Sequence, residues 1–114
     1  KKINGVTLVT STIKHADREM LATLADAIRR SLPGDGVVCL ASGDQGLASL
    51  VVATTAGLVN RIHAGQVLKA VAPLIEGSGG GRPEFAQGGG KDPSGIPAAL
   101  KRAGELIQEA LAKR

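Results

Sequence analysis

Apolar residues gather in six blocks along the chain, and the spacing within them changes from one block to the next. Ile3 to Thr12 is rich in β-branched residues and poor in helix formers, which predicts a strand. Beyond Asp17, whose carboxylate can accept hydrogen bonds from the free N–H groups of a helix start, Leu21, Leu24, Ala25, Ile28 and Leu32 recur every three or four residues. That spacing predicts a helix with one apolar stripe. Arg29 and Arg30 would complement the dipole of its last turn, and Pro33-Gly34 would end it. The runs Gly36 to Ser42 and Leu47 to Thr55 lack strict alternation, as expected for strands covered on both faces. Gly43-Asp44-Gln45-Gly46 joins them with a turn of hairpin length.

From about His63 to Glu76 a second helical stripe is formed by Ile62, Val67, Leu68, Val71, Leu74 and Ile75, with Pro73 limiting or kinking its last turn. A final helix runs from Ile96 to the chain end on Ile96, Ala99, Leu100, Ala103, Leu106, Ile107, Ala110 and Leu111. Its opposite face carries Lys101, Glu105, Glu109 and Lys113 in four-residue steps, a spacing that suits surface ion pairs of about 0.3 kcal/mol each. The fold class is therefore α/β (α+β): a small mixed β-sheet with packed helices, in the order β-α-β-β-α-(Gly-rich loop)-α. At 114 residues the chain reads as one domain, 1–114, large enough for a real core.

Composition narrows the picture. Hydrophobic residues make up 43% of the chain, but there is one Phe and neither Trp nor Tyr. The longest apolar stretch, Leu47 to Val59, is shorter than the ~20 residues of a membrane helix, so a soluble protein is expected. A single cysteine, Cys39, excludes an internal disulfide and points to a reducing, cytoplasmic setting. Its apolar neighbours suggest a buried structural thiol. The net charge of +4 suits an encounter with a polyanion without requiring one. It is carried at the ends, +3 over residues 1–31 and +2 over 77–114, against −1 between them.

Eight of the sixteen glycines lie between Gly77 and Gly95. This segment holds two triplets, Gly79-Gly80-Gly81 and Gly88-Gly89-Gly90, each followed by a cation, Arg82 or Lys91. Phe85-Ala86 stands between them, an apolar pair that a flexible linker would not need. Glycine accepts positive φ and offers no side chain to block approach, so such triplets can present N–H groups to an anion. Neither a Walker loop nor the dinucleotide fingerprint is present, because Asp92 follows Lys91 and Arg82 takes the place of a required glycine. The expectation is a glycine-built loop suited to phosphate or to close backbone contact. No nucleophile elbow, informative carboxylate pair or Cys/His cluster is apparent. His15, Asp17 and His63 read as surface and capping residues, so neither catalysis nor a metal site is expected of this chain.

The run RIHAGQVLKAVAPLIEGSGGGRPEFAQGGGKDP, residues 61–93, resembles the DHHA1 domain at the C-terminus of alanyl-tRNA synthetases. Ala64-Gly65, Gly79-Gly80-Gly81-Arg82-Pro83, Ala86-Gln87 and Gly88-Gly89-Gly90 match that family's motifs in order. The resemblance implies a tRNA-binding C-terminal domain of an alanine–tRNA ligase, which engages the tRNA elbow and helps couple aminoacylation to editing. ATP, magnesium and zinc would then belong to the parent enzyme, with no cofactor in this segment. Its partners would be alanine-specific tRNA, other domains of the synthetase and a second copy in a homo-oligomer. Two alternatives stand beside it: an oligomerisation or inter-domain module, and the substrate-binding domain of a DHH phosphoesterase. In the latter proteins His more often follows the glycine group, so Arg82-Pro83 favours the synthetase. The implied nucleic-acid contacts are Arg82, Lys91, Gln87, the two glycine triplets, Arg61 and His63, with Lys14 and Arg18 as weaker candidates.

Overall fold

A computed structural model describes residues 2–3 and 5–112 of the chain. Six strands form one mixed sheet in the order β1-β2-β3-β4-β6-β5: β1 (Lys2–Ile3), β2 (Val6–Thr12), β3 (Gly36–Asp44), β4 (Leu47–Thr54), β5 (Gly77–Gly81) and β6 (Phe85–Gly90). The helices are α1 (Arg18–Ser31), α2 (Ala64–Val71) and α3 (Ile96–Ala112). β2 and β3 are parallel and are joined through α1, while every other neighbouring pair is antiparallel. The mixed α+β class expected from the periodicities is the class observed.

Two parts of the chain fold differently from their sequence pattern. The expected strand Ile3 to Thr12 is divided, because Gly5 adopts φ +83° and folds β1 back on β2. The glycine segment is not a loop: it is the hairpin β5–β6, paired from Gly77–Gly90 to Gly81–Ala86. Strand propensity alone disfavours so much glycine. Tertiary packing overrides it: β6 pairs with β4, and α2 lies close above, where a Cβ on Gly79 or Gly88 would meet Leu68 Cδ2 at 3.0 or 3.2 Å and one on Gly65 would meet the Gly81 oxygen at 2.5 Å.

Other elements follow their local chemistry. Asp17 caps α1 by accepting from the Met20 N–H at 2.8 Å. Leu21 and Ala25 of the predicted stripe are buried, whereas Leu24, on its flank, is 37% exposed. The β3–β4 turn needs only Gln45 and Gly46, at φ 52° and 77°, the paired positive values that match the twist of a tight hairpin. Pro73 stops α2 as an α-helix, and Ala72–Ile75 continues as a 3₁₀ turn. On α3 the ion pairs are made by Arg102, to Glu105 at 3.2 Å and Glu109 at 3.4 Å, rather than by Lys101; Lys113 lies outside the described residues.

β3 and β4 are buried on both faces, which divides the core into two layers. Leu21 and Ala25 of α1 pack on Val38, Leu40, Val51 and Ala53. On the other face α2 and α3 cover Val37, Cys39, Leu50 and Val52 through Leu68, Val71, Ala103 and Ile107. Cys39 is 1% exposed, and burial pushes its thiol up to about 12 from 9.0. Its folded-state value is raised, so the associated stability is present below pH 9 and is lost as pH climbs from about 9 towards 12. Stability should therefore fall with rising pH across that window, seen as a denaturant midpoint that drops more steeply than in Cys39→Ala.

Candidate nucleic-acid interface

The alternation of β5 and β6 assigns their residues to opposite faces of the sheet. Gly77, Gly79, Gly81, Ala86, Gly88 and Gly90 turn towards α2; Ser78, Gly80, Phe85, Gln87 and Gly89 turn to the face that carries α1. α1 sits over β3 and β4, so the second set is left largely uncovered. Cross-strand register arranges this face in rows, Ser49–Gly89–Ser78 and then Val51–Gln87–Gly80. Its floor beside β5 is thus mostly peptide backbone.

A trough of about 580 Å³ lies at one end of this floor, bordered by Arg18, Lys91, Ser49, Ser78, Leu47 and Glu76. Arg18, at the start of α1, lays its guanidinium directly over β6: a Cβ on Gly89 would come within 2.7 Å of Nη2. Lys91, which follows β6, is exposed. Among the described residues neither cation has a carboxylate partner. Both are therefore available to an anion.

A second hollow, about 370 Å³, opens at the far end of β6 between α1 and the β5–β6 turn, where Arg29, Arg30 and Arg82 meet Asp26, Glu84 and Phe85. Arg29 is committed to the fold. It pairs with Asp26, donates to the Glu84 carbonyl at 3.1 Å, and lies 5.4 Å from the Phe85 ring centroid. Arg30 is held by Asp26 at 2.9 Å. Arg82 has only a loose 3.8 Å contact with Glu84 and remains 76% exposed.

The structure separates residues that the sequence grouped together. Arg82 and Lys91 stand at opposite ends of β6, about 20 Å apart at its ordinary rise, and cannot close on one phosphate. The triplets form no cup of N–H groups, because the positive-φ glycines among the described residues are Gly5 and Gly46. Gly88, Gly79, Gly81 and Gly90 face α2 and serve packing, whereas Gly80, Gly89 and Gln87 belong to the open floor.

Arg61 and His63 belong to the structural framework of the α2–α3 layer. Arg61 donates from Nη2 to the Leu111 carbonyl at 3.1 Å, tying down the end of α3. His63 caps α2, its Nδ1 accepting from the Gln66 N–H at 3.2 Å. Arg18, with Lys14 a weaker candidate on sequence, becomes a principal one. Its position after an N-cap was visible in the sequence, but its approach to Gly89 depends on how α1 crosses the sheet. Among the described residues no group of three His, Cys, Asp or Glu side chains is placed to hold a metal ion.

Helices on both faces of a mixed sheet, closed by a glycine hairpin, define a small α+β domain of distinctive edge structure. This chain belongs to the DHHA1 domain family, whose model matches residues 5–109. Its fold is shared over 99% of its length with the C-Ala domain from Aquifex aeolicus alanyl-tRNA synthetase, at a TM-score of 0.84 and 30% identity, covering 97% of that chain. It is 47% identical over 112 residues to the alanine–tRNA ligase of Acetivibrio thermocellus, matching along 97% of its own length but 13% of the relative's. The fold also resembles part of RecJ from Thermus thermophilus, solved in complex with Mn2+, at a TM-score of 0.63 and 20% identity over 94% of this chain and 14% of that one.

Proposed function

We propose that this chain is a tRNA-binding C-terminal domain of an alanine–tRNA ligase, gripping the tRNA elbow through phosphate and shape contacts and helping to couple aminoacylation with editing. Binding is assigned to the α1-side trough, with Arg18 and Lys91 contacting phosphates and Arg82 extending the track at the hairpin turn. The unpaired Arg18–Lys91 couple over a backbone floor carries the reading. Glycine lets a sugar–phosphate chain approach closely, and two cations without internal partners lose no ion pair on meeting it. Base reading is disfavoured: Phe85, the chain's single aromatic residue, is half-buried beneath Arg29, leaving no exposed stacking platform. ATP, magnesium and zinc chemistry belong to other parts of the synthetase, and the enzyme works in the cytoplasm.

Salt titration of binding to alanine tRNA tests this reading. The logarithm of the affinity should fall linearly with the logarithm of salt concentration. Arg18→Ala and Lys91→Ala should each weaken binding and reduce that slope by about 1. Arg61→Ala should leave the slope unchanged, because its guanidinium is bonded to the Leu111 carbonyl. Affinity that does not respond to salt would refute the phosphate mechanism.

A further inference from the structure

Three strands contribute one residue each to a row across the open floor: Ser49 from β4, Gly89 from β6 and Ser78 from β5. Neighbouring strands lie about 4.8 Å apart, so the two serines stand about 10 Å from each other with Gly89 midway. All three residues line the trough on the α1 side of the sheet. The Arg18 guanidinium lies over the middle of the row, in the space that a side chain at position 89 would take. One positive charge is thereby flanked on both sides by a hydroxyl.

The fold makes no use of these two hydroxyls. Ser78 is exposed and Ser49 half-buried, and among the described residues neither Oγ has a hydrogen-bond partner. Ser42, which extends the same row on β3, behaves differently. It is buried, and its Oγ accepts from the Ala16 N–H at 2.9 Å, fixing the chain just before α1 and so helping to place Arg18.

A phosphate offers acceptors alone and has one charged place to sit in this row, against the guanidinium. The serines stand a strand's width to either side, where the two sugars joined by that phosphate would lie. A ribose presents its 2′-hydroxyl there, donor and acceptor at once, and a serine hydroxyl complements it in either role. A deoxyribose has only C–H groups to offer. Glu76, exposed and without an ion pair among the described residues, lines the trough two residues before Ser78. Its carboxylate repels a second phosphate and accepts from a hydroxyl, so the β5 side of the row suits a sugar better than the next charge of the strand.

We propose that Ser49 and Ser78 contact ribose 2′-hydroxyls on either side of a phosphate held by Arg18, and that they make the trough select RNA over DNA. This rests on the RNA reading above and adds the sugar to it. Arg18 and Lys91 supply charge, which either nucleic acid satisfies; the two serines supply the discrimination.

Affinities for alanine tRNA and for its all-deoxy counterpart, measured at one salt concentration, test the assignment. The unsubstituted chain should prefer the RNA about twentyfold. Ser49→Ala and Ser78→Ala should each weaken RNA binding about fivefold, and the double variant should lose the preference, with affinity for the deoxy form unchanged throughout. No charge is removed, so the salt slope for RNA should stay the same in all three variants. Arg18→Ala should instead weaken RNA and DNA by the same factor. A double variant that keeps the RNA-to-DNA ratio of the unsubstituted chain overturns the inference. Salt-dependent binding that is equal for the two sugars refutes this inference alone and leaves the phosphate reading standing, whereas binding of neither nucleic acid removes both.

Discussion

Gly90→Ala should destabilise the fold by about 3 kcal/mol, the upper end of the usual cost of overpacking, whereas Gly80→Ala should be neutral or stabilise it by about 0.5 kcal/mol. A Cβ on Gly90 would collide with the Ile75 carbonyl and come within 2.9 Å of Ile75 Cγ1. Neither obstacle can yield cheaply. The carbonyl is backbone, also accepting from the Asp92 N–H at 3.0 Å, and the Ile75 side chain is fully buried. Gly80 belongs to the same hairpin, but its side-chain direction is open. Urea denaturation of both variants measures the contrast. Equal stability would mean that the hairpin does not pack against the Ala72–Ile75 turn as described.

Leu68→Ala should cost about 3–4 kcal/mol, within the range for truncating a fully buried leucine. Leu68 is 0% exposed and joins the two halves of the α2–hairpin contact: a Cβ on Gly79 would lie 3.0 Å from Leu68 Cδ2, and one on Gly88 would lie 3.2 Å away. The glycines bring the hairpin backbone up to this side chain, so its removal leaves a cavity walled by main chain that cannot relax into it. Thermal unfolding should show a fall of more than about 10 °C. A loss below about 1 kcal/mol would mean that the helix settles onto the hairpin without Leu68, contrary to this packing.

Much of the framework was legible because it depends on local periodicity. The α1 stripe, the two-face burial of β3 and β4, the Asp17 cap and the limit set by Pro73 all follow from residues within a turn or two of one another. The split at Gly5 is not legible, because a positive-φ reversal leaves no break in a β-branched run. The glycine hairpin is hidden for a different reason. Glycine is a poor strand former, and its strand state here comes from pairing with β4 and from α2 above it, both remote in sequence.

The candidate site divides along the same line. Arg82 and Lys91 were identified from their places after the triplets and do reach the surface. Their separation along β6 could not be read from a segment expected to be a loop. Arg61 and His63 are contacts that the resemblance implies, but their hydrogen bonds to Leu111 and Gln66 make them framework residues. Arg18 became important only once α1 had been laid across the sheet towards Gly89.

From its order of residues alone, this chain specifies a mixed α+β domain, helix boundaries, a buried thiol and DHHA1-type motifs. Those properties depend on side-chain spacing, capping chemistry and composition, which act over a few residues. Long-range assembly specifies the rest: a paired hairpin in place of a loop, a trough between α1 and β5, and serine hydroxyls set on either side of Arg18. Glycine offers no side-chain pattern from which to predict its partners, so its role emerges only when other backbones come close enough to need the space.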